Sequence, residues 1–378
     1  MEAKQFIDIL NDFGVGFYTG VPDSLLNAFC FQLINAYGLG AKHKVGVNEG
    51  SCLAMAAGNY MATQKIPCVY MQNSGLGNIV NPANSLINPK VCGIPVLFVV
   101  GWRGEPGVKD EPQHIFQGEV TLSQLTLLGI EYAVIDKDTA KNGLQTIMTG
   151  FKRAFAQRKS CAIIIKKDTF SGAVKSIDRK AYEIVREKAI ERIALALDPC
   201  DIVISSTGKI SRELFEIRER NGQHHDSDFL TVGSMGYASS IALEIACVKK
   251  DRRVLCLDGD GAALMHMGAM ATIGNIKPQN FTHIILDNAA HETVGGVPTV
   301  SDSVDWISLA KSVGYSHAQL VTEYRGIEEV LSLSGTVLGL IKVNHSSRKD
   351  LGRPTLTARQ TADNFMGFLG VKNENSLR

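Results

Sequence analysis

Two oxygen-bearing side chains follow two apolar segments in the second half of the sequence, and their types suit a hard metal ion. Asp260 stands between two glycines after the run 253–257, and Asn288 follows the run 284–286. Mg²⁺ prefers oxygen ligands and usually takes one or two carboxylates, completing its shell with carbonyls, water and phosphate oxygens. A helix that begins near Ala262 would turn its N-terminal amides toward such an anion. The pattern predicts a site for Mg²⁺ and a diphosphate, although Gly-Asp-Gly is also a common strand-to-turn sequence.

The elements that must position these side chains are short apolar runs that alternate with longer segments of helical periodicity. This alternation predicts an α/β protein with doubly wound, mainly parallel sheets. In the first half, strands are expected near Val15–Thr19, Lys44–Asn48, Cys68–Gln72, Pro95–Gly101, Tyr132–Ile135 and Ala162–Lys166. In the second half, they are expected near Asp201–Ser206, Phe229–Gly233, Arg253–Leu257, Thr282–Asp287, Ala318–Val321 and Leu338–Val343. Six strands in each half predict two domains of similar architecture.

The boundary between the two domains is expected near Ser176. The segment 171–178 is a polar connection, and the segment 179–197 then carries apolar residues at helical spacing. We therefore expect a first domain over residues 1–175 and a second domain over residues 176–378.

The composition indicates a globular protein and excludes some classes of partner. Hydrophobic residues make up 45% of the 378 residues, charged residues make up 20%, and the formal net charge is +1. No basic run with interleaved aromatic residues and no membrane-length apolar run occurs, so neither nucleic acid nor a membrane is expected as a partner. The N-terminal residues lack the pattern of a signal peptide, and the eight cysteines are scattered as in a reduced core. A cytoplasmic location is the expectation.

The Gly-Asp-Gly segment, the interval after it and the strand that ends before Asn288 resemble the signature of enzymes that depend on thiamine diphosphate. The usual pattern ends in Asn-Asn, whereas this chain has Asp287 followed by Asn288. The resemblance implies that Mg²⁺ is held by Asp260, Asn288 and the backbone carbonyl of Ala290. It also implies that the cofactor contacts the neighbours of Asp260, namely Gly259, Gly261 and Ala262.

Glu49 is the candidate catalytic carboxylate of the first half. It follows the strand-like segment 45–48 and opens a helix of small residues that runs through 52–58. A carboxylate in the first turn also complements the helix dipole without doing any chemistry. Thiamine enzymes carry a glutamate in a similar setting, and the resemblance implies that Glu49 hydrogen-bonds the pyrimidine ring and promotes formation of the reactive ylid. The cofactor then accepts the electrons released when carbon dioxide leaves a 2-oxo acid.

Two segments of the second half are similar to cofactor contacts of this family. Met235, which stands near Gly233 and Gly236, occupies the place of the bulky side chain beneath the bent cofactor. A core methionine at the start of a helix would give the same pattern. The other segment is a strand-to-helix turn of a common kind, and it consists of Ser206, Thr207 and Gly208.

Two turns of the first half could line the substrate side. Asp23 resembles an active-site acid of related 2-oxo acid decarboxylases, but it is equally suited to cap the helical segment 25–33. The segment after the expected strand 68–72 should approach the pyrimidine ring, unless it is a plain loop. Its candidate contacts are Gly75, Gly77 and Asn78.

The loop 101–114 is the most distinctive loop of the chain, with two cations, a histidine, three glycines and two prolines. Long loops at strand ends are usually functional. Arg103 and Lys109 could grip a phosphonate or a sulfonate, and His114, whose unperturbed pKa is ~6.5, could carry a proton. The alternative pairs both cations with nearby acidic residues at the surface. His291, after the expected metal turn, is a further candidate for the substrate side.

Nearly the whole chain resembles the short, two-domain decarboxylases of the thiamine family. Most family members insert a third domain, and 378 residues leave no room for one. The segments 72–84 and 102–114 are most similar to members that act on phosphonopyruvate. The resemblance implies conversion of 3-phosphonopyruvate to phosphonoacetaldehyde and carbon dioxide, a step toward 2-aminoethylphosphonate. It also implies a homodimer or a higher homo-oligomer with active sites at the subunit interface.

Two other kinds of function stay open at this point. A sulfopyruvate decarboxylase or an acyloin-forming enzyme would use the same cofactor, and a sulfonate has a similar shape to a phosphonate with one charge fewer. A non-catalytic regulatory subunit would bind Mg²⁺ and a diphosphate without chemistry, but such a protein would have no use for Glu49.

Overall fold

The computed structural model describes residues 1–139, 141–172, 182–345, 347–348 and 350–371. The chain divides into two compact units. The first unit comprises Met1–Ile177 with His291–Pro298, and the second comprises Asp178–Ala290 with Thr299–Arg378. The boundary expected near Ser176 lies outside the described residues, so the domain limits 1–175 and 176–378 stay a prediction.

The first unit is a six-stranded sheet with a helix between each pair of successive strands. The strands are β1 (Val15–Gly20), β2 (His43–Val45), β3 (Ile66–Gln72), β4 (Leu97–Gly101), β5 (Glu131–Ile135) and β6 (Cys161–Ile165). The helices are α1 (Ala3–Asp12), α2 (Asn27–Tyr37), α3 (Glu49–Thr63), α4 (Leu76–Pro82), α5 (Pro112–Leu127) and α6 (Lys141–Ala156). The order across the sheet is β2-β1-β3-β4-β6-β5, and all neighbours are parallel.

The inner strands of this sheet are apolar along their whole length. Every residue of β4 and of β6 is buried. Helices cover both faces of a parallel sheet, so both faces are buried and the strands read as continuous apolar runs. Helix α1 contributes Phe6, Ile7 and Leu10 to the same core. This burial pattern is why the strands were recognisable from sequence.

The second unit has the same layered construction. The strands of its sheet are β7 (Ile202–Ser205), β8 (Asp228–Leu230), β9 (Val254–Gly259), β10 (Asn280–Asp287), β13 (His317–Val321) and β14 (Gly335–Lys342). Its helices are α7 (Arg186–Leu195), α8 (Lys209–Arg220), α9 (Ala238–Val248), α10 (Asp260–Met265), α11 (Ala269–Ile276), α12 (Trp306–Val313), α13 (Arg325–Leu331) and α14 (Ala358–Phe368). Two further short strands, β11 (Ala290–His291) and β12 (Val297–Pro298), lie in the segment His291–Pro298 of the first unit, except for Ala290. The main sheet has the order β13-β14-β10-β9-β7-β8, and β11 pairs with β12 in a separate hairpin.

The two six-stranded sheets share one strand order. Counted along the chain within each sheet, both read 2-1-3-4-6-5, and the strands of the second sheet are also parallel. The predicted class, two doubly wound domains with mainly parallel six-stranded sheets, is confirmed. Each expected strand overlaps an observed strand.

The structure differs from the sequence expectation in three local features. The segment after Ala262 forms two helices instead of one, because the backbone at His266 leaves the helical range with φ −129° and ψ 43°. Strand β2 ends at Val45, because the Asn48 side chain accepts a hydrogen bond from the Gly50 amide (2.8 Å) and starts helix α3. The hairpin of β11 and β12 is an additional element.

Each sheet has a switch point, at which the connections that leave two adjacent strands run in opposite directions. In the first sheet this point lies between β1 and β3, and in the second it lies between β7 and β9. Open parallel sheets bind ligands at the carboxyl ends of the strands at such a switch point. The turns that follow these strands are therefore the candidate ligand sites of the two sheets.

No described helix offers a stretch of 18 residues apolar enough to cross a membrane. All eight cysteines are free thiols, and Cys30, Cys52, Cys68, Cys161 and Cys256 are buried.

Candidate active site

Asp260 and Asn288 lie at one edge of the second sheet. Asp260 is the first residue of α10, directly after β9, and Asn288 follows β10. Strands β9 and β10 are parallel neighbours in which Leu286 lies opposite Gly259, so the two turns emerge side by side. Both side chains are buried, with relative exposures of 2% for Asp260 and 3% for Asn288. Parallel strands thus bring together the two residues that the sequence proposes as metal ligands.

The carboxylate of Asp260 has the properties of a cation ligand. It accepts a hydrogen bond from the Thr299 hydroxyl (2.5 Å). Burial, followed by the negative charge of Asp287, raises the pKa of Asp260 to about 7. A buried carboxylate is costly when it is charged and lacks a cation. A divalent ion would remove that cost, so these residues fit Mg²⁺.

The Asn288 turn is held tightly. The Asn288 Oδ1 accepts a hydrogen bond from the Ala290 amide (3.0 Å), and Ala289 adopts a left-handed conformation with φ +54°. A non-glycine residue with positive φ is uncommon and costs free energy, so the surroundings must enforce this conformation. The Ala290 carbonyl as third metal ligand stays a prediction.

Asp287 fixes the same turn from the other side, through contacts that the sequence analysis missed. Its Oδ1 accepts a hydrogen bond from the Ala289 amide (2.9 Å). Its Oδ2 accepts hydrogen bonds from the Ser301 hydroxyl (2.9 Å) and from the Lys342 ammonium (2.6 Å). The one sequence signal for this network is a lysine at the end of an otherwise apolar strand, β14.

The turn after β7 lies beside this edge. The Ser206 amide donates a hydrogen bond to the Leu257 carbonyl (2.8 Å), and the Thr207 hydroxyl donates to the Val232 carbonyl (2.8 Å). Gly208 has φ +95° and precedes α8. These bonds tie the 206–208 turn to β9 and to the segment after β8. The structure therefore places it at the switch point of the second sheet.

Met235 lies in a turn at the carboxyl end of β8 and is half-buried, outside the hydrophobic core. Gly236 follows it with φ +88°, and a Cβ atom there would lie 2.6 Å from the His266 ring and 3.0 Å from the Ala262 carbonyl. The turn thus packs closely on α10. The half-buried position disfavours the alternative of a core methionine. Two further predicted cofactor contacts, Gly261 and Ala262, are buried in α10.

Glu49, Gly75 and Asn78 are in contact in the first unit. Glu49 is the first residue of α3 and is 5% exposed. Its Oε2 accepts a hydrogen bond from the Asn78 Nδ2 (2.7 Å), and a Cβ atom on Gly75 would lie 2.5 Å from its Oε1. Burial raises the pKa of Glu49, and the hydrogen bond from Asn78 opposes the rise. Gly77 has no such crowding within 4 Å.

Asp23 is a second buried acid in the same unit. Its Oδ1 accepts a hydrogen bond from the Gln72 Nε2 (2.7 Å), and its Oδ2 accepts one from the Leu25 amide (3.1 Å). It therefore caps the short helix at Ser24–Leu26 and also spans the switch point between β1 and β3. Burial raises the pKa of Asp23, whereas the Gln72 hydrogen bond and the Arg103 charge lower it.

The cations of the loop 101–114 differ in their surroundings. Arg103 donates to both carboxylate oxygens of Asp110 (2.8 and 2.5 Å) and to the Ser24 hydroxyl (2.9 Å). The pair is largely buried, with side-chain exposures of 18% and 15%, and not at the surface as the alternative reading of the sequence proposed. Lys109 is exposed.

His114 requires a correction. An unperturbed histidine has a pKa near ~6.5, but burial and the nearby Arg103 charge lower the pKa of His114 to about 4. The imidazole is therefore neutral at pH 7. His291 lies in β11, in the segment that clusters with the first unit, and its carbonyl accepts a hydrogen bond from the Gly296 amide (2.8 Å).

Comparison with known proteins gives a consistent result for both halves of the chain. Residues 2–127 match the thiamine pyrophosphate enzyme N-terminal TPP binding domain, and residues 206–334 match the corresponding C-terminal TPP binding domain. The chain is 32% identical to a phosphonopyruvate decarboxylase of Streptomyces viridochromogenes, over 97% of this chain and 94% of that protein. It is also 32% identical to a phosphonopyruvate decarboxylase of Streptomyces hygroscopicus, with the same coverage. A sulfopyruvate decarboxylase subunit beta of Methanothermobacter thermautotrophicus is 37% identical over 42% of this chain and 81% of that protein.

Proposed function

This chain belongs to the thiamine pyrophosphate-dependent decarboxylases, and from that premise we propose that it converts 3-phosphonopyruvate to phosphonoacetaldehyde and carbon dioxide. The observation that carries the substrate is the similarity over almost the full length to two proteins named phosphonopyruvate decarboxylase. The sulfopyruvate relative named above aligns with 42% of the chain, and another sulfopyruvate decarboxylase aligns with 74% of the chain at a lower identity of 28%. A role in 2-aminoethylphosphonate formation follows from the product.

The buried acids of the two units suit the two ends of the cofactor. Asp260 and Asn288 would hold Mg²⁺ and through it the diphosphate, with the Ser206, Thr207 and Gly208 turn nearby. Glu49 would hydrogen-bond the aminopyrimidine ring, and its raised pKa allows its carboxyl to hold a proton there. When bound, thiamine diphosphate supplies the electron sink that decarboxylation of a 2-oxo acid requires.

The proton that the product needs is assigned to Asp23. Its carboxyl is buried, burial raises its pKa, and its partner is a neutral amide, so the protonated form is favoured more than in an exposed aspartate. His114 is neutral and is better suited to donate or accept a hydrogen bond than to supply a proton as imidazolium. The acid role therefore falls on Asp23 in this proposal, with His114 as an orienting group.

The phosphonate is assigned to the cations of the loop 101–114. Lys109 is exposed and can move toward a dianion. Arg103 is held by Asp110 and Ser24 at a fixed place close to Asp23, whose pKa responds to its charge. A dianionic group bound away from the reacting carbon supplies binding energy that can be used at that carbon. His291 remains a further candidate contact.

The test is a parallel measurement of steady-state rates with 3-phosphonopyruvate, sulfopyruvate and pyruvate. We expect the highest kcat/KM for 3-phosphonopyruvate and formation of an aldehyde in equal amount to carbon dioxide. A higher kcat/KM for sulfopyruvate would replace the proposed substrate by the second candidate. Formation of an acyloin in place of the free aldehyde would replace the proposed reaction.

The proposed assembly is a homodimer or a higher homo-oligomer. In it, Glu49 of one subunit and Asp260 of another would serve the same cofactor. The subunit-mixing experiment described in the Discussion tests this assembly.

A further inference from the structure

We infer that Lys342 is a positioning residue that allows an aspartate at position 287 to do the work of a neutral amide beside the metal ligand Asn288. The inference rests on the proposed function, because it concerns the site for Mg²⁺ and diphosphate. The thiamine diphosphate signature that this sequence resembles usually ends in two asparagines. In this chain, Asp287 and Lys342 would together take the place of the first asparagine.

The fold places the two charges in contact. Asp287 ends β10 and Lys342 ends β14, and the two residues are directly opposite in the parallel register. The Lys342 Nζ donates to the Asp287 Oδ2 (2.6 Å), and the side-chain exposures are 14% for the lysine and 0% for the aspartate. The lysine also lies 3.3 Å from an oxygen of the exposed Asp302 and 5.7 Å from the centre of the Tyr182 ring.

Both carboxylate oxygens of Asp287 accept hydrogen bonds from neighbouring donors. Ser301 donates its hydroxyl to the same Oδ2, and the buried Trp306 donates its Nε1 to the Ser301 oxygen (2.9 Å). The other oxygen receives the Ala289 amide and so stabilises the left-handed residue of the Asn288 turn. The conformation of that turn therefore depends directly on Asp287.

The charges explain why Asp287 needs the lysine. Asp260 and Asp287 are both buried carboxylates, and the negative charge of Asp287 acts on Asp260. With the ammonium present, the charges of Asp287 and Lys342 cancel, and Asp260 is the one carboxyl of the three residues that is left to bind the metal. Without the ammonium, the negative charge of Asp287 would be buried beside the metal ligands, and no side-chain cation would balance it. Breaking a buried ion pair by removing one partner is far more costly than replacing both partners.

The two single variants should leave unpaired charges of opposite sign beside the metal site. Lys342→Met leaves Asp287 charged and unpaired, so the Asn288 turn loses its anchor and the diphosphate meets an extra negative charge. Asp287→Asn leaves the ammonium beside the divalent ion and repels it. The double variant Asp287→Asn with Lys342→Met restores a neutral, hydrogen-bonded side chain.

The experiment is a double-mutant cycle in which binding of thiamine diphosphate is measured by calorimetric titration of the full chain at saturating Mg²⁺. We expect each single variant to bind on the order of ten-fold more weakly, because the two residues act as one unit. The double variant should bind within about three-fold of the wild-type protein, and Lys342→Arg should bind better than Lys342→Met. The matched control is Arg218→Met, which breaks another buried ion pair of the second unit, with Asp228, and should lower stability without weakening binding.

The outcomes separate this inference from the proposed function. Losses that add in the double variant, or single variants that bind like the wild type, would overturn the role of Lys342 while the cofactor site stands. If Lys342→Met does not fold, recovery of folding in the double variant supports the pair, and failure to recover overturns it. Wild-type protein that binds no thiamine diphosphate would overturn the proposed function and this inference with it.

Discussion

The two units share one strand order, but the partners of their buried acids differ. In the first unit, Glu49 and Asp23 each receive a hydrogen bond from a neutral amide, of Asn78 and Gln72 respectively. Both acids have raised pKa values for which burial is the main cause. These environments favour carboxyl groups that hold protons.

In the second unit, the acids are arranged for cations. Asp287 is bound to the Lys342 ammonium, and Asp260 stands beside it with a hydroxyl partner and a pKa of about 7. The difference teaches that the fold supplies the strand ends and the switch point, whereas the partner of each carboxylate decides its chemistry. In the proposed function, the acids of one sheet would hold protons for a ligand, and the acids of the other would bind a metal.

The largest expected effects come from substitution of one acid in each unit, Glu49 in the first and Asp260 in the second. Glu49→Gln should lower kcat by roughly 10² to 10⁴, because the glutamine side chain cannot take part in proton transfer. The protein should still bind thiamine diphosphate and Mg²⁺, because the proposed metal ligands lie in the second unit. Asp260→Ala should abolish the increase in melting temperature that Mg²⁺ with thiamine diphosphate gives the wild type, because the metal loses its carboxylate.

The two variants thus separate chemistry from binding. Carbon dioxide release measures the first, and thermal unfolding with and without ligands measures the second. Loss of cofactor binding in Glu49→Gln together with normal binding in Asp260→Ala would reverse the assignment of the two units.

A second prediction concerns subunit mixing, because the proposed assembly would place complementary halves of one site on different subunits. Mixed after subunit exchange, the inactive Glu49→Gln and Asp260→Ala proteins should regain activity up to about a quarter of the wild-type value, since half of the dimers are mixed and one of their two sites is intact. Absence of recovery, with exchange demonstrated by labelled subunits, would show that both residues serve a site within one subunit.

A third prediction tests the cationic loop of the first unit. Lys109→Met should raise KM for 3-phosphonopyruvate roughly ten-fold, because a charged contact to the phosphonate is lost. The effect on pyruvate, which has no such group, should be much smaller. The matched control is Lys4→Met, which removes an exposed lysine that pairs with Asp8. Equal effects on both substrates would remove Lys109 from the phosphonate site.

The smallest expected effect concerns His114, whose pKa in the folded protein is about 4. Because this value lies below that of the unfolded chain, the unfolded state binds more protons between pH 6.5 and pH 4. The free energy of unfolding should therefore fall as the pH is lowered through this window, and His114→Gln should reduce that fall. Denaturant unfolding at several pH values measures it. An NMR titration of the His114 ring near pH 6.5 would contradict the lowered pKa of this half-buried histidine.

The strands and the acids at their ends could be predicted from sequence, because each depends on local pattern. Parallel strands covered on both sides are continuous apolar runs, and Asp260, Asn288 and Glu49 stand directly at the ends of strands or the starts of helices. Such positions are recognisable without knowledge of tertiary contacts.

The remaining features depend on contacts between distant parts of the chain. Lys342 meets Asp287 across 55 positions because of strand register, which no local pattern reveals. The pKa of His114 depends on burial and on Arg103. Arg103 could have been paired with any of several neighbouring acids, and the loop geometry selects Asp110.

The most direct test of the account is the stoichiometry of thiamine diphosphate retained after dialysis against Mg²⁺, measured by thiamine fluorescence after acid precipitation. The account predicts one cofactor per chain in the wild-type protein and nearly none after removal of Mg²⁺ by a chelator. Protein that retains no thiamine diphosphate at saturating cofactor and Mg²⁺ would contradict it.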